Sequence, residues 1–253
     1  MIPQKTCLII GYGRAGKRHK KDAEKFGLKV QIFDPMLGMD GWNQHTDKPD
    51  YVVIATPPAN HLDYLRRFID TDSKILCEKP LCGLGELEQA KEYLNHPNID
   101  NVMVAYNWRY HPLIRLMTGK ATHATLISKQ TRTDMPHWGL LLDHVSHGID
   151  ILRTLTGDGL KLKGAQHFKF DGMSDNWDVA FDVGAIIEQI SREDKARNVQ
   201  LAIDNIELPL DPDSSMFDKM WERFLSDDFK GDYDKAILTQ VLIEEVAKYD
   251  KVA

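Results

Sequence analysis

The sequence has no excess of basic residues and no long apolar run, and we expect no signal peptide. Its 32 lysines and arginines are outnumbered by 38 aspartates and glutamates, which leaves a net charge of −6. No basic field would therefore attract the phosphates of a nucleic acid. No apolar run approaches the roughly 20 residues of a membrane-spanning helix, and residues 1–5 lead straight into an apolar strand. We expect a small-molecule substrate, and neither a nucleic acid nor a membrane as a partner.

Cysteines are also few. The three present, Cys7, Cys77 and Cys82, are odd in number and do not show the spacing of a metal site. Cys7 and Cys77 fall in or beside strands that are predicted to be buried. This usage favours a reduced, cytoplasmic protein without a bound metal.

The hydrophobic pattern divides the chain into two parts. Up to about residue 118, short apolar runs such as residues 6–10 alternate with helical segments five times. This alternation predicts an N-terminal Rossmann domain over residues 1–118, built on a doubly wound parallel sheet. Residues 119–253 are predicted to form a compact α+β domain with a mainly antiparallel open sheet, because segments such as 199–210 alternate apolar and polar residues around a turn at Asp204-Asn205.

A glycine-rich turn follows the first predicted strand and opens a helix. It has the pattern G-x-G-x-x-G and consists of Gly11, Tyr12, Gly13, Arg14, Ala15 and Gly16. The glycines permit a tight turn, close approach of a pyrophosphate and packing of the helix against the strand. Asp34 ends the second strand, where a carboxylate accepts the ribose hydroxyls of NAD and repels the 2′-phosphate of NADP.

The alternative is an unrelated turn with Asp34 as a capping residue. We interpret the pattern as an NAD site. NADP is the less favoured cofactor, although Arg14 could offset the repulsion of its extra phosphate.

Further short motifs follow in order. They are GKRH at residues 16–19, TPPANH at 56–61, EKP at 78–80, NWRYHP at 107–112 and DHVSHGID at 143–150. Together with the glycine turn, these motifs resemble those of the Gfo/Idh/MocA oxidoreductases, the family of glucose–fructose oxidoreductase and inositol dehydrogenase. Members of this family usually have a larger C-terminal domain, so the chain is expected to be an unusually short member.

The resemblance implies cofactor contacts beyond the glycine turn. In the family, the segment TPPANH covers the adenosine and nicotinamide side of the cofactor. The further cofactor-binding residues that the resemblance implies are Thr56, Pro57, His61, Glu78, Lys79 and Asn107. On sequence alone, Asn107 is equally well the N-cap of a helix.

Lys79 is the first candidate catalytic residue. It follows a strand predicted to end at Cys77, at the edge where open parallel sheets bind their ligands. An ammonium group there can hydrogen-bond both the nicotinamide ribose and a substrate hydroxyl, and the resemblance implies a cis peptide bond before Pro80. Without the resemblance, a surface lysine beside a strand end is an equal alternative.

His147 is the second candidate catalytic residue. Asp143, His147 and Asp150 recur at i, i+4 and i+7, on one face of a helix predicted from about residue 141 to 155. An imidazole titrates near neutrality, so His147 can take and return a proton, and Asp143 or Asp150 can orient its ring. The spacing alone favours a solvated helix face, and the resemblance reverses that preference. A metal site at Asp143, His144 and His147 lacks a closing pair of ligands, so no metal is predicted.

Four residues are weaker candidates for substrate contacts. They are Arg109, Tyr110, His144 and Trp138. The resemblance implies that Arg109 lies near the nicotinamide or the substrate, with a surface arginine as an equal alternative. Tyr110 and Trp138 could stack on a sugar ring, or equally well serve as core or rim aromatics.

The motifs together predict an NAD-dependent dehydrogenase that acts on CH–OH groups. It would transfer a hydride between nicotinamide and a secondary alcohol or ketone of a sugar, polyol or nucleotide-sugar. His147 would act as general base with Asp143 beside it, and Lys79 would position the substrate. Two alternatives stay open: a non-catalytic NAD-sensing regulator, and a reductase of an imine, enone or bilin-like compound. The resemblance also implies a homodimer or homotetramer that pairs through the C-terminal sheet.

Overall fold

The chain forms two compact units. The computed structural model describes residues 4–40, 48–131, 139–170, 174–191, 198–210 and 215–250. The first unit comprises Met1–Ala105 and Phe217–Ile237, and the second comprises Tyr106–Met216 and Leu238–Ala253. This division falls between Ala105 and Tyr106, whereas the sequence predicts a boundary near residue 118 and no return of the chain to the first domain.

A mostly parallel sheet lies at the centre of the first unit. Its strands are β1 (Thr6–Ile10), β2 (Lys29–Asp34), β3 (Met39–Asp40), β4 (Tyr51–Ile54), β5 (Lys74–Cys77) and β6 (Val102–Val104). The described residues place them in the order β3-β2-β1-β4-β5-β6. All neighbouring strands are parallel except β3, which is antiparallel to β2. β4 is fully buried, as expected of an apolar strand covered on both faces.

Short helices connect these strands. They are α1 (Arg14–Lys25), α2 (His61–Phe68) and α3 (Leu87–Lys91). The sequence predicts a longer third helix over residues 84–94. Gly85 adopts a φ of 82°, a left-handed conformation that a helix cannot contain, so α3 begins only after it.

Two C-terminal helices follow the second sheet, α6 (Ser215–Leu225) and α7 (Tyr233–Ala247). Residues 217–237 complete the first unit. The ring of Trp221 lies 5.9 Å from that of His19, centroid to centroid. The carboxylate of Asp232 accepts a hydrogen bond from the backbone N–H of Val104 at 3.1 Å. This segment therefore supplies both buried aromatic surface and a partner for the edge strand β6.

The second unit contains a mixed sheet. Its strands are β7 (Ala124–Thr131), β8 (Leu162–Phe170), β9 (Ser174–Phe181), β10 (Gly184–Ser191), β11 (Asn198–Ile203) and β12 (Ile206–Pro209). Their order is β12-β11-β7-β10-β9-β8 within the described part of the chain. Only β7 and β10 pair in parallel, so the predicted, mainly antiparallel sheet is confirmed.

One hairpin turn of this sheet has the sequence signature of such a turn, and another does not. Asp204 and Asn205 have φ values of 48° and 70°, as expected of the predicted hairpin turn between β11 and β12. Within the segment 179–191 the chain reverses between β9 and β10 at Asp182 and Val183. That pair lacks the Asn-Gly or Asp-Gly signature that would have indicated a hairpin.

Helices cover one face of this sheet. They include α4 (Pro112–Met117) and α5 (Ser146–Thr156), and a π-helical turn over Leu141–Val145 precedes α5. A Cβ atom added to Gly148 would lie 3.0 Å from the side chain of Ile186, so glycine lets α5 lie close to β10. In the part of the chain that is described, no helix has both the length and the apolar character needed to cross a bilayer.

Candidate functional site

The glycine turn between β1 and α1 has the shape of a phosphate cradle. Gly11 has a φ of 89°, and a Cβ on it would lie 2.7 Å from the carbonyl oxygen of Ala55. A Cβ on Gly16 would collide with the carbonyl oxygen of Gly11. A Cβ on Gly13, by contrast, would meet no described atom within 4 Å. Two glycines are therefore required by packing, and the third leaves a clear surface where a pyrophosphate fits.

Asp34, at the end of β2, contacts this turn and is also a cap. Its Oδ2 accepts the backbone N–H of Tyr12 at 2.7 Å. Its Oδ1 accepts those of Met36 and Leu37 at 3.1 and 3.3 Å. A carboxylate has about four lone-pair directions, so these three bonds leave capacity for a ribose hydroxyl. The two interpretations of Asp34 from the sequence are therefore compatible.

The TPPANH segment joins two loops at the carboxyl end of the sheet. The ring nitrogens Nδ1 and Nε2 of buried His61 lie 2.9 Å from the carbonyl oxygens of Pro80 and Thr56, respectively. Burial lowers the pKa of His61, while the hydrogen bonds to these two carbonyls act against that shift. Because both nitrogens face the backbone, His61 holds the loops together and does not offer a nitrogen to a cofactor.

The hydroxyl of Thr56 has a different environment. Thr56 follows β4, and Pro57 after it precedes a short 3-10 turn over Pro58–Asn60. The Thr56 Oγ1 is buried and has no hydrogen-bond partner among the described residues. A buried hydroxyl normally has a partner, so this atom fits a cofactor that lies across the strand ends.

Glu78 connects the EKP motif to helix α1. Its Oε1 accepts a hydrogen bond from His19 Nε2 at 2.9 Å, and its Oε2 accepts one from the backbone N–H of Lys79 at 3.1 Å. Burial acts to raise the pKa of Glu78, but the hydrogen bond and charge of His19 and the charge of Lys79 outweigh it, so the pKa lies below its ordinary value.

Lys79 itself is half-buried and lies two residues beyond the end of the parallel strand β5. The peptide bond from Lys79 to Pro80 is cis, as the family resemblance implies. His19 is a site residue to which the sequence assigned no role. Its signal was present, because it closes the motif GKRH.

In the second unit, the π-helical turn changes the expected spacing. It covers Leu141–Val145, so Asp143 lies in a wider turn than His147, which belongs to α5. The helical segment is therefore not α-helical throughout, whereas the predicted spacing assumes that it is. Asp143 is 8% exposed, and its Oδ2 lies 3.4 Å from His144 Nε2. His147 is half-buried, with its Nδ1 on the buried side.

Asp150 has a different partner from the one that the sequence suggests. It is fully buried, and its oxygens accept hydrogen bonds from Arg109 Nε and Nη2 at 2.8 and 2.5 Å. Thr239 Oγ1 donates to the same carboxylate at 3.0 Å. Asp150 is therefore committed to Arg109 rather than to the ring of His147, and two donors of Arg109 are directed to this carboxylate rather than to a substrate.

The remaining candidates lie nearby or outside the described residues. Asn107 is buried in the 3-10 turn Asn107–Tyr110, whose N-cap is Tyr106, so the N-cap interpretation of Asn107 is wrong. Tyr110 packs against the apolar core of the second unit. Trp138 lies outside the described residues. Where the chain is described, no group of three or more histidine, cysteine or acidic residues could hold a metal.

Comparison with protein families now identifies part of the chain. Residues 18–108 match the model of Gfo/Idh/MocA, an oxidoreductase family with an NAD-binding Rossmann fold. The family predicted from the motifs is confirmed for the segment, and the predicted cofactor, NAD, agrees with the family's description.

One curated relative is a levoglucosan dehydrogenase from Pseudarthrobacter phenanthrenivorans. It is 27% identical over 160 residues, which are 54% of this chain and 39% of that protein. The chain therefore matches about two fifths of the length of this relative.

Solved structures share the fold. A myo-inositol dehydrogenase from Corynebacterium glutamicum superposes with a TM-score of 0.78 at 15% identity, over 99% of this chain and 97% of that one. A UDP-N-acetylglucosamine 3-dehydrogenase from Acidithiobacillus ferrooxidans gives 0.75 at 13% identity, over 99% of both chains. The WlbA dehydrogenase of Thermus thermophilus, in complex with NAD and α-ketoglutarate, gives 0.72 at 16% identity, over 95% and 94%. The predicted fold class is confirmed.

Proposed function

We propose that the chain is an NAD-dependent dehydrogenase that acts on a CH–OH group of a sugar, polyol or nucleotide-sugar. The observation that carries the proposal is the link from the glycine-turn helix to the catalytic cation. His19 of α1 fixes Glu78, and Glu78 accepts the backbone N–H of Lys79. Three similar proteins support the substrate class by name, since they are dehydrogenases of levoglucosan, myo-inositol and UDP-N-acetylglucosamine.

Each residue then has a stated task. NAD, when bound, supplies the nicotinamide ring that accepts or returns the hydride. The ammonium group of Lys79 donates to the substrate oxygen and stabilises the negative charge that develops on it. His147 accepts the hydroxyl proton at Nε2, because its Nδ1 is buried. Asp143 lies one turn earlier on the same helical segment and supports the positive charge that this proton creates.

Asp34 supports NAD over NADP. Its carboxylate is fixed at the glycine turn by Tyr12 N–H, where it can accept a ribose hydroxyl and repel a 2′-phosphate. Binding of NADH, followed by its fluorescence with NADPH as competitor, tests this preference. Equal or tighter binding of NADPH would contradict it.

Kinetics of matched variants test the enzymatic proposal. NADH formation is measured with NAD and a panel of levoglucosan, myo-inositol and UDP-N-acetylglucosamine. We expect Lys79→Met and His147→Gln each to lower kcat/KM by about 100-fold or more, the usual worth of a proton-transfer group. Lys91, on α3, whose side chain is 39% exposed, provides a control variant, Lys91→Met, with unchanged turnover.

Each other outcome has a meaning. Undiminished turnover in Lys79→Met or His147→Gln would refute the assigned roles. Tight NADH binding without turnover on the panel would favour the non-catalytic regulator. Oxidation of NADH by an imine, enone or bilin-like compound, with no reaction of the sugars, would favour the third hypothesis.

We also propose that copies of the chain pair through the open face of the second sheet. Helix α5 covers the other face, where Gly148 and Leu152 meet β10. On the open face, Ile127 of β7 and Ile187 of β10 are register partners and are only half-buried. Paired, partly exposed isoleucines at the centre of a sheet favour an interface.

The cytoplasmic location stays a prediction.

A further inference from the structure

We propose that Arg109 and Asp150 form a buried positioning pair that holds His147 in place through the ring of Tyr106 and balances the charge behind it. The proposal rests on the proposed function, in which His147 exchanges a proton with the substrate. All of these residues belong to the second unit.

The first step is the rigidity of the pair. The side chain of Asp150 is fully buried and that of Arg109 is 11% exposed. Two donors of one guanidinium, Nε and Nη2, bond the carboxylate at 2.8 and 2.5 Å. A bidentate bond fixes the plane of the guanidinium as well as its distance.

The ring of Tyr106 connects the guanidinium to the imidazole of His147. The central carbon of the Arg109 guanidinium lies 5.0 Å from the ring centroid of Tyr106. The Tyr106 ring is fully buried and meets the ring of His147 edge-to-face, with centroids 6.2 Å apart and an interplanar angle of 84°. A cation over one ring and a perpendicular contact to the next are both favourable aromatic geometries. The imidazole therefore packs against a buried ring that also contacts the guanidinium of the ion pair.

Further charged and polar groups surround the pair. Thr239 Oγ1 of α7 donates a hydrogen bond to Asp150 and accepts one from Arg153 Nη1 at 2.8 Å. Arg153 Nη1 lies 3.7 Å from Asp150 Oδ1, and Arg153 Nη2 bonds Asp158. Two arginines and two aspartates thus balance one another.

The segment that carries His147 adds its own titratable groups, Asp143 and His144, which contact each other. The variants below leave these two groups unchanged. A change in the titration of His147 therefore reports on the pair behind Tyr106.

Removing Arg109 and removing Asp150 should shift the pKa of His147 in opposite directions. Arg109→Met leaves the negative charge of Asp150 in excess, which favours the imidazolium and raises the pKa of His147. Asp150→Asn leaves the positive charge of Arg109 in excess, which lowers that pKa. The pKa should shift by about half a unit or more in each variant, because charges in a partly buried setting are weakly screened.

NMR titration of the full-length chain measures these shifts without any turnover. The chain has ten histidines, and the variant His147→Gln identifies the resonance of this ring. We expect opposite shifts in the two single variants and a return towards the wild-type value in the double variant. Arg115→Met, on the exposed side of α4, is the control and should leave the titration unchanged. Absent shifts, or shifts in the same direction, would overturn the proposal.

Arg109→Lys covers the case in which the other variants fold poorly, because it keeps the positive charge and loses only the second bond. We expect about a tenfold fall in kcat with little change in KM, since a loosely held imidazole transfers protons less well. A rise in KM at constant kcat would place Arg109 on the substrate and overturn the proposal. Absence of turnover in the wild-type chain would defeat the proposed function alone, because the titration result stands without it.

Discussion

Glu78 is a carboxylate whose two oxygens serve two different segments. One oxygen accepts from His19 and the other from the backbone of Lys79. The positive partners hold its pKa below the ordinary 4.5 despite its burial. The residue therefore stays ionised at neutral pH and fixes the start of the loop that carries Lys79.

Replacing Glu78 by glutamine should destabilise the protein in a pH-dependent way. Loss of a partly buried, charged hydrogen-bond partner costs about 1–3 kcal/mol. A lowered folded-state pKa means that the stabilisation is present above the unfolded value, near 4.5, and is lost as the pH falls through the folded value. Urea unfolding of wild type and Glu78→Gln, at neutral pH and at successively lower pH, measures the difference between their free energies of unfolding.

Glu88 provides the matched control, since its side chain is 85% exposed. Glu88→Gln should change the free energy of unfolding by no more than about 0.5 kcal/mol at any pH. If Glu78→Gln were as harmless as this control, the link between α1 and the EKP motif would carry no stability.

At the scale of elements, the sequence predicts best where burial leaves a direct mark. β1 and β4 read as apolar runs because parallel strands are buried on both faces. The β11–β12 turn was predictable because Asp204 and Asn205 both tolerate a positive φ. Apolar spacing carries no such mark of a π-helical turn, since Leu141 and Val145 suit either helix type.

Contacts between distant positions were not predictable from local patterns. Arg109 and Asp150 lie 41 positions apart, and each fitted another role in its own motif. Residues 217–237 span most of the predicted helix 215–225 and the start of the predicted helix 235–249, and a helical pattern shows that a face is buried but not against which core. The glycine turn, in contrast, needs only adjacent residues and was recognised.

The β11–β12 turn gives a prediction of its own. The Asp204 carboxylate accepts from Thr122 Oγ1 at 2.6 Å and from the backbone N–H of His123 at 2.8 Å. The side-chain bond from Thr122, followed by the backbone bond from His123, lowers the pKa of Asp204. Asp204→Asn keeps the turn conformation and loses the charge, so it should lower the Tm at neutral pH.

The same comparison in acid checks the cause. The contribution of a carboxylate with a lowered pKa disappears as the pH falls from its unfolded value, 3.8, through the folded one. The Tm values of wild type and Asp204→Asn should therefore converge in acid. Glu207→Gln, an exposed change on the same hairpin, should give no such convergence; a matching trend there would assign the effect to net charge.

For the whole molecule, the open sheet face predicts an oligomer. Sedimentation at micromolar concentration should show a dimer or tetramer for wild type and a monomer for Ile187→Lys, because a buried, unpartnered ammonium is costly. Leu116→Lys, at a position on α4 that is 64% exposed, should leave the oligomer intact. A wild-type chain that sediments as a monomer would remove the interface.

The nucleotide-binding unit of this molecule cannot be separated after its last strand, β6, without losing part of its core. Tyr51 of β4 packs against the ring of Phe224 at 5.5 Å, and the hydroxyl of Tyr233 donates to the carbonyl of Ala90 at 2.8 Å. During synthesis, part of the apolar surface of residues 1–105 therefore stays uncovered until residues 217–237 have been made and complete the core. Transplanting residues 1–105 into another protein would carry the cofactor motif without the wall that encloses its core.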